Sequence, residues 1–204
     1  MAGRIESSAG SRWDWIAETN LELGGSLTFA RGASTEGVIE AFGMNSAKAF
    51  LALASEAAEL LPYPDYQEMD PPEHPWIRVG TTGEWGFSLD ESSGGFGGYE
   101  EDAAYALSVG AEAVLLTHVG PHNTFHYYVD DTEVTAFEPL RAWDRWGTDP
   151  DRFLPSMRAA GLRLGDDDPI GNPVIDALEM LTLALGIRLD RDVALGPLLT
   201  VQRD

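Results

Sequence analysis

The chain has 204 residues, and its 34 acidic residues outweigh its 13 basic residues to give a formal net charge of -21 at pH 7. Charge of this sign disfavours direct binding to nucleic acid or to anionic membranes and favours a basic partner. The absence of cysteine excludes disulfides, thiolate zinc sites and thiol nucleophiles.

The start of the chain predicts a tail rather than a targeting segment. Residues 1–11 are small and polar, which predicts flexibility, and residues 1–10 lack the apolar stretch of a signal peptide. No apolar run approaches the ~18 residues that a membrane span needs. We therefore expect a cytoplasmic protein in which residues 12–204 form a single domain.

The first half of the domain predicts a strand, two helices and a hairpin. Alternation of apolar residues indicates the strand, with Leu27 and Phe29 on one face, and helical spacing indicates the helices. The expected ranges are a strand at 26–31, helices at 35–42 and 47–61, and hairpin strands at 76–81 and 84–90.

The second half predicts a helix, a meander of three strands, two more helices and an edge strand. Asp149-Pro150 is expected to open the first of those later helices and Asn172 to cap the second. The expected ranges are a helix at 100–110, strands at 113–119, 124–129 and 133–137, helices at 149–161 and 173–185, and a strand at 198–201.

Hairpin connections dominate this order of elements, which favours an antiparallel sheet. We expect an α+β fold whose mostly antiparallel sheet, a hairpin plus a three-stranded meander, carries helices packed on one face.

Three of the four histidines are grouped as His118, His122 and His126. If His118 lies opposite His126 across a hairpin, their side chains are ~5 Å apart on one face. Such a pair could hold a metal ion, although no third ligand is evident, and two packed histidines are the ordinary alternative. An enzyme or metal-assisted activity at His118 and His126 is therefore the weakest hypothesis, and no cofactor is expected.

No complete catalytic signature is present, so we assign no catalytic residue. The glycine-rich stretch at 92–98 precedes a helix, but no lysine follows it, as a phosphate-binding loop requires. The acidic triplet at 100–102 would also repel a phosphate there. A flexible connector is the better interpretation of the stretch.

The charge favours a binding protein, most simply an immunity or inhibitor protein that neutralises a basic toxin in bacterial conflict. The candidate contact surface lies on the two N-terminal helices or at the start of the third helix. These carboxylates are Glu36, Glu40, Glu56 and Glu59, or alternatively Glu100, Glu101 and Asp102.

A second hypothesis is a structural or regulatory module that assembles through a tryptophan-rich surface. Trp143 and Trp146 lie three residues apart with charged residues between them, and tryptophan often anchors protein interfaces. A hydrophobic lid on the sheet is the ordinary alternative. The sequence does not indicate the partner or the oligomeric state.

Several short motifs resemble an actinobacterial family catalogued only as a domain of unknown function. They are Leu-Thr-Phe-Ala-Arg-Gly at 27–32, Trp-Gly-Phe-Ser-Leu-Asp at 85–90, Phe-Glu-Pro at 137–139 and Gly-Thr-Asp-Pro-Asp-Arg at 147–152. The resemblance covers residues 13–165 and assigns no functional residue. It supports an actinobacterial origin, and hence a second account of the acidity as the composition that a GC-rich genome encodes.

Overall fold

The computed structural model describes residues 10–60, 75–92, 99–119 and 122–203. Within them, nine strands form one antiparallel sheet in the order β2-β9-β3-β4-β1-β5-β6-β7-β8. The strands are β1 Gly24–Arg31, β2 Phe50–Ala52, β3 Trp76–Thr82, β4 Trp85–Asp90, β5 Glu112–Val119, β6 His122–Val129, β7 Thr132–Phe137, β8 Arg145–Trp146 and β9 Leu198–Gln202.

Six α-helices accompany the sheet in the described residues. They are α1 Thr35–Ala41, α2 Ala54–Leu60, α3 Tyr99–Leu107, α4 Leu154–Ala160, α5 Pro173–Leu185 and α6 Arg191–Leu195. The predicted α+β class and the antiparallel sheet are confirmed. The predicted hairpin is β3–β4, and the predicted meander is β5–β6–β7.

The front face of the sheet, which carries Phe29, Phe87 and Phe125, bears the main hydrophobic core. Side chains of α4 and α5, among them Met157 and Leu178, pack against it together with two tryptophans from the N-terminal segment. Those tryptophans, Trp13 and Trp15, are almost fully buried. Burial of this kind supplies most of the favourable free energy of folding.

The back face, which carries Thr28, Ser88 and His126, is covered by α1 and α3. Val38 of α1, Phe42 just after α1 and Ala103 of α3 pack against Ile77 of β3. Helices therefore cover both faces rather than the single face expected. Strands buried on both sides lose the alternation that marks a solvated face, and every residue from Gly24 to Ala30 in β1 is buried.

The predicted helix over 47–61 is wrong. The chain forms a short 3₁₀ helix, then β2, and starts α2 only at Ala54. The N–H of Leu53 donates to the carboxylate of Glu56 at 2.8 Å. This bond satisfies a free N–H group at the helix start, as in a capping box, and so places the beginning of α2 there.

Two further boundaries differ from expectation. Asp149 does not open a helix, because its N–H donates to Val134 O at 2.8 Å and its carbonyl accepts from the Thr135 hydroxyl at 2.7 Å. These bonds hold Asp149 against β7, and α4 begins five residues later. The strand β9 is also not an edge, since the unexpected β2 pairs with its outer side.

Two predicted segments fall mainly on residues outside the described ranges. They are residues 1–9 of the expected tail and residues 93–98 of the glycine-rich stretch. Ser11, at the end of the expected tail, donates a hydrogen bond to Glu179 of α5 at 2.6 Å. Asn172 accepts from the N–H of Ile175 at 3.2 Å, as predicted for the cap of α5.

Hydroxyl groups on the back face are buried without hydrogen-bond partners. Thr28 and Ser88 lie opposite each other on β1 and β4, and Ser26 lies two residues before Thr28. The hydroxyl oxygens of all three are unpartnered, and each residue is no more than 1% exposed. A buried hydroxyl without a partner keeps the cost of losing its hydration.

Replacing Thr28 by valine is expected to raise the free energy of unfolding by about 1 kcal/mol, because the isosteric methyl removes that cost. Urea denaturation measures it. The matched control is Thr135→Val, which removes the buried hydroxyl that donates to Asp149 O. We expect the control to lose about 1–2 kcal/mol. Destabilisation of Thr28→Val would show instead that the hydroxyl has a partner in solution.

Candidate functional site

The back-face helices α1 and α3 lie side by side. Ser34 caps α1 by accepting from the N–H of Gly37 at 3.1 Å, which fixes the direction in which the helix leaves the sheet. Each helix turns its apolar residues to the sheet: Val38 and Ile39 in α1, Ala103 and Ala104 in α3. The exposed residues of the two helices are Glu36 and Glu40 in α1 and Glu101, Asp102, Tyr105 and Ala106 in α3.

Four exposed carboxylates define what we call the acidic layer: Glu36 and Glu40 of α1, and Glu101 and Asp102 of α3. Neither helix contains a lysine or an arginine. The pKa of Glu36 is lowered by hydrogen bonds from its own backbone N–H and the Thr35 hydroxyl. The structure thus brings together, on one layer, residues that the sequence offered as separate alternatives.

Three other predicted contact residues lie elsewhere. Glu100 precedes Glu101 in α3, but it is 1% exposed and therefore is not available to a partner in this structure. Glu56 and Glu59 are exposed on α2, which packs against α6 and β2 rather than against α1. The two N-terminal helices therefore do not form the joint surface that the sequence suggested.

A row of aromatic side chains crosses the back face next to the acidic layer. Tyr105 of α3 meets Tyr128 of β6 edge to face, with ring centroids 6.3 Å apart. Tyr128 stacks on His126 at 6.0 Å, and His126 meets Trp146 of β8 at 6.2 Å. The two ends of the row are open to solvent, since Tyr105 is 48% and Trp146 44% exposed.

Carboxylates flank the middle of this aromatic row. The pKa of the Tyr128 phenol is raised, first by burial and then by the negative charges of Glu133 and Glu101. Glu101 belongs to the acidic layer, and Glu133 is a residue of β7. The acidic layer and the aromatic row are therefore parts of one surface, on which exposed rings lie among negative charges.

His126 is held in place within the row. Its Nδ1 lies 2.7 Å from Oε1 of Glu133, and because an ionised carboxylate only accepts, Nδ1 carries the proton. Its Nε2 is buried without a hydrogen-bond partner. The pair fixes the orientation of the imidazole between Tyr128 and Trp146.

The predicted pairing of His118 with His126 is wrong. His118 lies opposite Asn123, and His126 lies opposite Leu115. Since successive residues of a strand point to opposite faces, His118 projects from the front face and His126 from the back. No group of three metal-ligating side chains occurs among the described residues.

The two tryptophans of the second hypothesis have different environments. Trp146 ends the aromatic row, whereas the ring of Trp143 packs beneath the guanidinium of Arg163 at 4.8 Å. A cation over an indole ring is an internal contact that partly buries Trp143. Of the predicted pair, only Trp146 therefore contributes to the back-face surface.

Among the described residues, the ion pairs of arginine lie elsewhere, and none of them includes a carboxylate of the acidic layer. The pairs include Arg31 with Glu84 and Glu112, Arg78 with Glu91, Arg145 with Asp151, Arg163 with Asp166, and Arg191 with Glu18.

Sequence reasoning missed the aromatic row because its members come from α3, β6 and β8. The sequence contains a local signal for two parts of the row but none that joins them. Glu101 and Tyr105 are four residues apart on α3, and His126 and Tyr128 are two apart on β6, and these spacings place each pair on one face of its element.

Comparisons with known proteins identify one related group. A family model described as "Family of unknown function (DUF6461)" matches residues 8–193, which confirms the resemblance and extends it at both ends. Searches of curated proteins and of solved structures find no match.

Among the described residues, no helix has both the length and the apolar character needed to cross a bilayer.

Proposed function

Because the chain belongs to a family whose function is not assigned, we propose a function from its surface: it binds a basic protein and neutralises it, as an immunity or inhibitor protein does for a toxin. The observation that carries the proposal is the acidic layer of α1 and α3. Its four carboxylates are exposed, and neither helix has a basic residue to offset them.

The surface offers the two properties that a tight inhibitor needs. Uncompensated negative charge attracts a basic partner and raises the rate of encounter, up to 10–10³-fold for steered complexes. Exposed aromatic rings supply the contact area that holds a complex once it has formed. Tyr105 and Trp146 provide such rings beside the carboxylates. Charge alone would attract every cationic protein, so the rings are what gives selectivity.

The proposed partner is basic and acts in the cytoplasm, where this protein would meet it. A nuclease toxin is the simplest example, because its nucleic-acid-binding surface is positively charged. A rigid acidic layer over that surface would exclude the nucleic acid by charge and by volume. The proposal does not require the chain to bind nucleic acid or a cofactor.

The test compares two variants of equal net charge. The first neutralises the acidic layer: Glu36→Gln, Glu40→Gln, Glu101→Gln and Asp102→Asn. The control neutralises four exposed carboxylates outside it: Glu59→Gln, Asp167→Asn, Asp190→Asn and Asp192→Asn. A basic protein is captured from lysate of the source organism on the wild-type chain at ~0.1 M salt, where screening is moderate. It is then purified, and its association rate with each chain is measured.

We expect the first variant to associate at least about 10-fold more slowly than the wild type and the control to change by less than about threefold. Salt at ~0.5 M should remove most of that difference. The captured protein, expressed alone, should inhibit growth, and co-expression of the wild-type chain should relieve the inhibition. Equal losses in both variants, or growth that the captured protein does not affect, would contradict the proposal.

A second candidate function is assembly with a structural or regulatory partner through Trp146. The exposed indole at the end of the aromatic row favours it. This function predicts an affinity for the partner that changes little between ~0.1 and ~0.5 M salt, as expected of an apolar contact. Trp146→Ala would abolish such binding, whereas Trp143→Ala would leave it intact because Trp143 packs against Arg163.

A further inference from the structure

A cavity of about 530 Å³ opens at the end of the front face where β5 meets β6. It lies between the N-terminal 3₁₀ helices at 14–22, the ends of these two strands and the first turn of α5. This volume is within the range of pockets that hold small organic molecules. The acidic layer is on the other face, so the cavity is independent of the function proposed above.

The walls of the cavity are largely apolar. Ile16 and Leu21 come from the 3₁₀ helices, Leu140 from the segment after β7, and Val174 and Ile175 from α5. Leu21 and Val174 are themselves 1% and 7% exposed, so the walls belong to the folded core rather than to loose surface chain. Such walls gain from contact with an apolar ligand.

One side of the cavity is polar and ordered. Asn123 is 2% exposed, yet it lines the cavity, and its Oδ1 lies 2.5 Å from Nδ1 of His118. Nε2 of His118 lies 3.3 Å from the carbonyl oxygen of Glu22. The imidazole thereby ties the 3₁₀ segment to the strands.

The charged groups that line the cavity are acidic. Asp14 and Glu22 are exposed at its edge, and the residues that line it, all in the described ranges, include no lysine or arginine. An anionic ligand would be repelled by these carboxylates and by the charge of -21 on the chain. A protonated amine would instead be attracted, and it can also donate hydrogen bonds to the carboxylates.

We propose that this cavity binds a small apolar amine in its protonated form. The apolar body lies against Ile16, Val174 and Ile175, and the ammonium group lies between Asp14 and Glu22. Both parts of the ligand are needed, because the apolar walls do not attract free inorganic cations and the carboxylates give no preference to a neutral molecule.

The probes are butylamine, cyclohexylmethylamine and phenethylamine, each compared with the alcohol of the same skeleton. Binding to the full chain, labelled at isoleucine, leucine and valine methyl groups, is followed by NMR at pH 7. We expect at least one amine to shift the methyls of Ile16, Val174 and Ile175 saturably with a Kd of about 1 mM or tighter. The matching alcohol should bind at least about 10-fold more weakly.

Two charge-matched variants locate the effect. Asp14→Asn with Glu22→Gln should weaken binding of the amine about 10-fold and leave the alcohol unchanged. Asp131→Asn with Asp192→Asn, two exposed carboxylates that do not line the cavity, should leave both unchanged. The proposal is overturned if no amine shifts these methyls, if amine and alcohol bind equally, or if this control weakens binding as much as the first pair does.

Discussion

Replacing Arg78 by leucine is expected to lower the free energy of unfolding by about 3–5 kcal/mol, as is usual when one member of a buried ion pair is removed. Arg78 and Glu91 are at most 1% exposed, and their side chains are joined at 2.9 Å. Arg78 also donates to the carbonyl oxygens of Ala194 and Gly196. The substitution leaves a buried carboxylate without its cation and two carbonyls without a donor.

The loss should depend on pH in a defined direction. Burial raises the pKa of Glu91, and Arg78 opposes that rise. Without Arg78 the folded state holds the Glu91 proton more tightly than the unfolded state does. The loss is therefore complete at pH values above the raised pKa, and it shrinks as the pH falls through that pKa towards the ordinary value of 4.5.

Urea denaturation at pH 7 and at lower pH measures both effects. The control is the double variant Arg78→Met with Glu91→Met, which removes both charges. It should recover the part of the loss that comes from the unpaired carboxylate, but not the part that comes from the two carbonyls. If the free energy of unfolding of Arg78→Leu lies within about 1 kcal/mol of the wild-type value, water reaches the ion pair. Solvent-exposed ion pairs contribute no more than about 1 kcal/mol.

Replacing Gly147 by alanine is expected to cost about 2–4 kcal/mol, which combines backbone strain with a steric clash. Gly147 follows β8 and has a φ of +110°, a value that side chains disfavour. A Cβ there would lie 2.4 Å from the carbonyl oxygen of Val134. Because that contact is with backbone, β7 or β8 would have to move.

Gly161→Ala separates the two causes. Gly161 ends α4 with a φ of +86°, and a Cβ there would meet no atom within 4 Å. We expect this control to lose about 1 kcal/mol from the conformation alone. Thermal unfolding compares the two variants, and tryptophan fluorescence reports whether Trp146 moves. Equal losses would show that the segment after β8 relaxes freely around the new methyl group.

Local patterns predicted most strands of this fold but not their register. Had His118 faced His126, the β5–β6 turn would have centred on His122. In the observed register, His118 pairs with Asn123, three residues before His126. That small shift places the two histidines on opposite faces, because side chains alternate along a strand.

The strand β2 was not predicted from the sequence, for a different reason. Phe50, Leu53, Ala54 and Ala57 have helical spacing, so periodicity alone predicted one continuous helix. Pairing with β9 and the bond from Leu53 to Glu56 interrupt it. The first contact is with a strand that is distant in sequence, and the second is a local helix cap. The spacing of apolar residues predicts neither of them.

The candidate surface was predictable in its parts and not as a whole. The exposed carboxylates of α1 and α3 could be named from the sequence, since charged residues on amphipathic helices face water. Their adjacency could not be named, because α1 and α3 are brought together by a sheet whose strands β1 and β4 are distant in sequence. Burial of Glu100, next to exposed Glu101, likewise depends on how α3 packs.

The outermost strands have a consequence for how the protein behaves at high concentration. β2 has three residues and β8 has two, so each side of the nine-stranded sheet ends in a minimal edge. Short edges offer few free N–H and C=O groups to which another chain could add a strand. The sheet of the described residues therefore resists growth by self-association, and its faces offer a partner more contact than its edges do.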